Sequence, residues 1–266
     1  MLDAHPELAI PAETHFIPHL AGLAETDDAL RTRFLHAVTE FETWPDLATS
    51  RDDLRAALAD VEPFTVAGGL RAFYRLYAAR RGKPRWGDKT PPYCLHLATI
   101  ERLLPEARFV HLIRDGRDVA LSVRPLWFSP GVDVASIATD WATRVRTARA
   151  QGAALRHYLE VRFEDLVRDP ARTLRVVCAF VDLPYDAAME RYHERAGARL
   201  GEVATRRRGD GTVVVTREER LAMHRLTSGP PQPARILRWQ REMPAEDQRR
   251  FAAVVGDLLS DLGYPA

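Results

Sequence analysis

Arg114 and Ser122 stand eight residues apart in Arg-Asp-Gly-Arg-Asp-Val-Ala-Leu-Ser. A guanidinium and a hydroxyl facing one pocket suit a phosphate, because arginine offers paired donors to paired oxygens. The same arginine could serve as the partner of Asp115 or Asp118 at a surface turn, and the residues alone leave both readings open. Lys89, in Arg85-Trp86-Gly87-Asp88-Lys89-Thr90-Pro91-Pro92, is an ammonium just ahead of a helix start. It could steady charge that develops in a reaction, or pair with Asp88 at a turn. Glu13 lies in a loop bracketed by prolines, Ile10-Pro11-Ala12-Glu13-Thr14-His15-Phe16-Ile17-Pro18. A carboxylate in a partly dry cleft can take a proton, whereas a helix-capping or solvent-facing glutamate does no chemistry. His15 and His19 have the spacing of metal ligands, but Pro18 disfavours a continuous helix and no glutamate follows the first histidine as in zinc proteases, so no metal site is expected.

The elements that must position these groups can be read from the apolar pattern. Phe109 to Ile113 is a nearly continuous apolar run, expected of a strand covered on both faces. A polar turn follows, with Gly116 free to take positive φ, and apolar residues return at helical spacing from Asp118. This strand–turn–helix unit sets polar groups at the carboxyl end of a strand, where open α/β sheets bind ligands. Residues 27–60 and 65–81 carry helical periodicity, broken at Trp44-Pro45-Asp46; Trp44, Phe64 and Tyr74 read as core or as the lining of an acceptor pocket. Thr90 is read as the N-cap of a helix running to about Leu104. A long helix is expected over 133–155, and a strand over 161–167 that ends in an acidic turn. Asp169-Pro170 opens the next helix, and a closing helix spans 245–262. Between 199 and 234, Arg206-Arg207-Arg208 suggests a mobile basic loop, and Gly229-Pro230-Pro231-Gln232-Pro233 excludes regular structure.

The segment Arg114–Ser122, with its preceding strand, resembles the 3′-phosphate-binding segment of sulfotransferases that use 3′-phosphoadenosine-5′-phosphosulfate (PAPS). The Glu13-Thr14 loop, Lys89-Thr90-Pro91 and Phe163-Glu164-Asp165-Leu166 resemble other elements of that family, its tyrosylprotein branch especially. The resemblance implies an α/β chain with a three-layer, P-loop nucleoside-triphosphatase-like sulfotransferase fold, a central parallel sheet flanked by helices. It implies transfer of a sulfuryl group from PAPS to an acceptor hydroxyl or amine. Glu13 would be the base, Lys89 would steady the leaving phosphate, and Arg114 with Ser122 would grip the 3′-phosphate. Phe163 replaces a tyrosine that contacts the nucleotide, so stacking could survive but a hydroxyl hydrogen bond could not. A C-terminal basic residue that closes on the cofactor can be placed only on Arg217, Arg235 or Arg238. The family's Pro-Arg-Ser-Gly-Thr-Thr loop for the 5′-phosphosulfate has no counterpart in the sequence. The expectation is therefore a single domain over 1–266 whose first strand, loop and most of the first helix are missing. The alternatives are a non-catalytic 3′-phosphoadenosine nucleotide binder and a phosphotransferase of related fold; the latter would need a Walker lysine and magnesium ligands, and neither is found.

A net charge of +1 gives no reason to expect nucleic acid or an anionic membrane as a partner. No stretch approaches the ~20 apolar residues of a membrane helix, and the start lacks signal-peptide character. Only two of the 38 basic residues, Lys83 and Lys89, are lysines, which singles both out. Cys94 and Cys178 read as core residues in a reducing compartment. The expectation is a soluble cytoplasmic protein that needs no metal and acts on a small-molecule, carbohydrate or peptide acceptor. Its oligomeric state is left open.

Overall fold

The computed structural model describes residues 1–23 and 29–265. These residues gather into two compact units: Met1–Ala107 with Asp186–Pro230, and Arg108–Tyr185 with the chain from Pro231 onward. The start of the helical stretch expected from residue 27 lies outside the described residues.

In the first unit a short parallel pair joins Leu8–Ala9 to Arg85–Trp86. The Val66–Ala79 helix begins at Thr65, whose side chain accepts the Gly68 N–H. Leu70, Phe73, Tyr74 and Tyr77 on this helix are fully buried, on the stripe that a 3.6-residue period predicts. Tyr74 stacks on Trp86, ring centroids 4.5 Å apart and planes 9° from parallel. The Leu30–Thr39 and Arg51–Ala59 helices flank the expected break at Trp44–Leu47. The Arg206-Arg207-Arg208 stretch departs from expectation. Its first two residues pair antiparallel with Val213–Val215, and Gly211 (φ 85°) makes the turn. Arg206 is buried, 3.8 Å from Asp46. The neighbouring Arg220 grips that carboxylate with two hydrogen bonds of 2.7 and 2.8 Å. A loop that reads as basic and mobile is thus fastened by a buried acid distant in sequence.

In the second unit Phe109–Ile113 pairs in parallel with Tyr158–Arg162, Phe109 opposite Tyr158 and Ile113 opposite Arg162. Parallel strands need a crossover, and two helices make it: Gly116–Val123 and Val134–Gly152. The longer one starts at Asp133, whose carboxylate accepts the Ala135 and Ser136 N–H groups. Ile137, Trp141 and Val145 along it enter a core with Ile113, Phe251 and Val255. Each such buried side chain contributes about 1.5–3 kcal/mol.

Three sequence expectations need correction here. The run 109–113 is not covered on both faces, since Leu112 is 48% exposed. The second strand ends at Arg162, and Phe163 opens the Phe163–Arg168 helix; the Glu164-Asp165 pair that reads as a strand-ending turn sits in that helix's first turn, where acids favour the dipole. The closing helix is broken: Gly256 (φ 58°) separates Ala245–Val255 from Leu258–Asp261. The expected parallel pairing and mixed α/β character hold, although the described residues form two-stranded pairs rather than one broad sheet.

Candidate active site

In the second unit the turn after Ile113 does what the spacing suggests. Asp115 caps the Gly116–Val123 helix by accepting the Arg117 N–H at 2.9 Å. Gly116 is needed for closeness rather than for positive φ: an added Cβ would stand 2.5 Å from Trp141 and 2.6 Å from Phe251. Held on this helix, Ser122 Oγ accepts from Arg114 Nη1 at 3.1 Å and donates to the Asp118 carbonyl at 2.8 Å. Arg114 and Ser122 therefore converge. The Arg114 guanidinium sits 4.7 Å from the Phe163 ring centroid and donates through Nη2 to the Arg235 carbonyl at 2.8 Å.

The alternative pairing of Arg114 is partly realised as well. Asp118 Oδ2 lies 3.6 Å from Arg114 Nη2, whereas Asp115 is taken by Arg117 at 2.9 Å. Burial draws the Arg114 guanidinium below its ordinary pKa; the Asp118 charge opposes this, and Arg235 and Arg238 add to it. The Arg114 guanidinium thus feels the positive charges of Arg235 and Arg238 and the negative charges of Asp118 and Glu164. The buried Arg114 Nε has no hydrogen-bond partner among the described residues. A buried cationic donor without an acceptor, beside a hydroxyl and an aromatic face, fits a phosphate next to a nucleoside. Of the three C-terminal arginines considered, Arg235 and Arg238 lie near Arg114. Arg217 is in the other unit, donating to the Val203 carbonyl at 3.0 Å.

In the first unit Glu13 and Lys89 are brought together as a direct ion pair. Lys89 does not pair with Asp88. The second lysine, Lys83, is structural: its Nζ donates to the Asp3 and Leu8 carbonyls. Glu13 has a further partner that the sequence did not reveal, His15 Nε2, 3.2 Å from its carboxylate. Burial works to raise the Glu13 pKa, but the His15 hydrogen bond and the Lys89 charge outweigh it and hold the carboxyl at about 2. His15 itself sits at φ 59°, a conformation that costs a non-glycine residue about 1–3 kcal/mol and persists only where the surroundings enforce it. His224, at the end of the Arg217–Met223 helix, feels the charges of both Lys89 and Glu13. Its pKa is lowered by burial first and then by Lys89 and Arg220. His19 packs edge-on against Phe41, and no group of three or more metal-ligating side chains occurs among the described residues.

Thr90 holds the N-cap position that the sequence suggests, but of a 3-10 turn rather than the helix, and with no side-chain capping bond. Its hydroxyl accepts the Thr14 N–H at 2.9 Å, and a 3-10 turn over Pro91–Leu95 precedes the Leu97–Leu103 helix. Tyr74 is core by burial, yet its hydroxyl donates to Asp88 at 2.7 Å. Phe64 packs against Phe34.

Parallel strand pairs, crossover helices and a polar strand end that aims an arginine at a helical serine define an α/β architecture. The overall fold matches that of two solved structures. The sulfotransferase domain of the Synechococcus PCC 7002 olefin synthase superposes with a TM-score of 0.57 at 23% identity, covering 100% of this chain and 88% of that one. The sulfotransferase domain from the curacin biosynthetic pathway gives 0.55 at 14% identity, covering 99% and 91%. The chain belongs to the sulfotransferase family, whose sequence model matches residues 1–187. Among named relatives it is similar to protein-tyrosine sulfotransferase 1 of Danio rerio, 24% identical over 272 residues, covering 99% of this chain and 67% of that protein. It is also similar to a putative protein-tyrosine sulfotransferase of Caenorhabditis briggsae, 28% identical over 207 residues, covering 75% and 65%. The alignments thus span about two thirds of these relatives' length.

Proposed function

We propose that this chain moves a sulfuryl group from PAPS to an acceptor hydroxyl or amine, with the tyrosine hydroxyl of a protein or peptide as the first acceptor to try. The observation that carries the reading is the convergence of Arg114 and Ser122 at 3.1 Å over the Phe163 ring, with the Arg114 Nε left without an acceptor. The donor supplies an activated sulfuryl group on a phosphate leaving group. Arg114 and Ser122 hold its 3′-phosphate, Phe163 offers an apolar face to the nucleoside, and Arg235 and Arg238 add positive charge around Arg114. Lys89 meets the negative charge that builds on the departing phosphate, a preorganised electrostatic contribution. Glu13 takes the proton that leaves the acceptor as the new S–O or S–N bond forms and the S–O bond to the donor's phosphate breaks. A carboxylate held at about 2 is ionised at neutral pH but is a weak base. Its basicity rises once the Lys89 ammonium turns from Glu13 to the departing phosphate.

The test combines calorimetry with 3′,5′-adenosine diphosphate and a labelled-sulfate transfer assay across tyrosine peptides, sugars and small alcohols. Binding that falls about 10–100-fold in Arg114→Ala, and less in Ser122→Ala, supports the phosphate assignment. Binding without transfer to any acceptor class, from the wild-type chain, would favour the non-catalytic binder. No binding at all removes the reading.

A further inference from the structure

Glu13 and Lys89 are both partly solvent-exposed, at 35% and 64% of their side-chain surface. A solvent-facing ion pair between two flexible side chains cannot by itself fix a geometry. Each, however, is joined in sequence to a residue that points the other way. Thr14, next to Glu13, is completely buried, and the carboxylate of Asp88, next to Lys89, is turned inward. The Thr14 hydroxyl donates to Asp88 Oδ2 at 2.7 Å.

Around this contact every polar group of Thr14 is used. Its N–H goes to Thr90 Oγ1 at 2.9 Å, its carbonyl accepts from Thr43 Oγ1 at 2.8 Å, and its hydroxyl lies 2.7 Å from the Tyr93 hydroxyl. Because Thr14 donates to Asp88, the Tyr93 hydroxyl is the donor to Thr14. The Tyr93 oxygen in turn accepts the Ile17 N–H at 3.1 Å. Asp88 Oδ2 takes a second hydrogen bond from Tyr74 at 2.7 Å, and the stacking of Tyr74 on Trp86 fixes that donor. The network is directional, and most of its members come from distant parts of the sequence. The Thr14 carbonyl also accepts the Phe16 N–H at 2.8 Å, a tight turn across His15 that goes with its positive φ.

We propose that the Thr14–Asp88 hydrogen bond is the positioning clamp of the candidate catalytic pair, setting the reach between the Glu13 carboxylate and the Lys89 ammonium from beneath. The inference rests on the reading of Glu13 as base and Lys89 as electrostatic catalyst. Thr14 is fully buried and Asp88 Oδ2 is turned inward, so both act through their neighbours. A buried hydrogen bond to a carboxylate outweighs a solvent-facing ion pair, so the clamp rather than the pair dictates the spacing.

The experiment compares Thr14→Val, which keeps the shape and deletes the hydroxyl, with Thr14→Ser, which restores the hydroxyl, and Tyr74→Phe, which removes one donor to Asp88. Steady-state transfer kinetics and calorimetry with 3′,5′-adenosine diphosphate are measured on each, alongside Glu13→Gln and Lys89→Ala. The expected result is a fall in kcat of about 10–100-fold for Thr14→Val and about 3–10-fold for Tyr74→Phe. Thr14→Ser should return to within about threefold of wild type, and nucleotide affinity should be unchanged throughout. Should Thr14→Val not fold, Tyr74→Phe carries the test. Wild-type kcat in the folded variants, or a Thr14→Ser as impaired as Thr14→Val, overturns the clamp while Glu13→Gln and Lys89→Ala remain inactive. Full activity in Glu13→Gln and Lys89→Ala instead overturns the underlying reading.

Discussion

The protonation of Glu13 is the most informative property at the residue scale. Its folded pKa of about 2 is below the ordinary 4.5. The stabilisation its partners supply is therefore fully present above about pH 4.5 and lost as pH falls through 2. Carbon-13 NMR of the glutamate carboxyls should show Glu13 still ionised at pH 3 in the wild type. In Lys89→Met, with one of its two partners gone, it should titrate closer to 4.5. An unshifted titration would mean that His15 alone holds the charge. The sequence showed Glu13 and Lys89 as candidates through the resemblance of their local segments. It did not show His15 as the carboxylate's partner, because the backbone turn at φ 59° that accompanies this contact is not advertised by the side chain.

At the scale of elements, local chemistry was legible and distant pairing was not. Phe109–Ile113 and the helix bearing Ser122 could be read because apolar runs, a capping aspartate and a glycine lie within fifteen residues of one another. The purpose of Gly116 could not, since it depends on Trp141 and Phe251 arriving from later in the chain. Gly116→Ala should cost about 1–3 kcal/mol through overpacking, seen as a lower urea midpoint with an unchanged m-value. A midpoint equal to wild type would show that the two rings yield freely. Thr90 misled for a similar reason: a threonine ahead of two prolines has the look of a cap, but its hydroxyl is claimed by the Thr14 N–H, 76 residues away.

For the molecule as a whole, composition was a poor guide to which charges matter. Arginine supplies 36 of the 38 basic residues, and many of its ion pairs are exposed and worth about 0–1 kcal/mol. Arg220 is different, at 12% exposure against an Asp46 at 4%. Losing Arg220 leaves the buried Asp46 charge to the Ala204 N–H and the more distant Arg206, so Arg220→Ala should destabilise the first unit by about 1–3 kcal/mol, measured by chemical denaturation. A loss below 1 kcal/mol would mean that water or Arg206 takes over. The hairpin over 206–215 was hidden in the sequence because this buried acid, not periodicity, fastens it, whereas the Arg217–Met223 helix opens on a Thr216–Glu219 capping box that the local sequence carries. The parallel pairing and the fold class were visible, as the matches to sulfotransferase structures bear out.

The scarcity of lysine has a practical side. Lys83 has its ammonium committed to two main-chain carbonyls, whereas Lys89 presents 64% of its side chain to solvent. An amine-directed reagent used sparingly should therefore modify Lys89 ahead of Lys83. Shielding from that reagent by a bound nucleotide could be followed by peptide mass mapping, giving a footprint of occupancy before any acceptor has been identified.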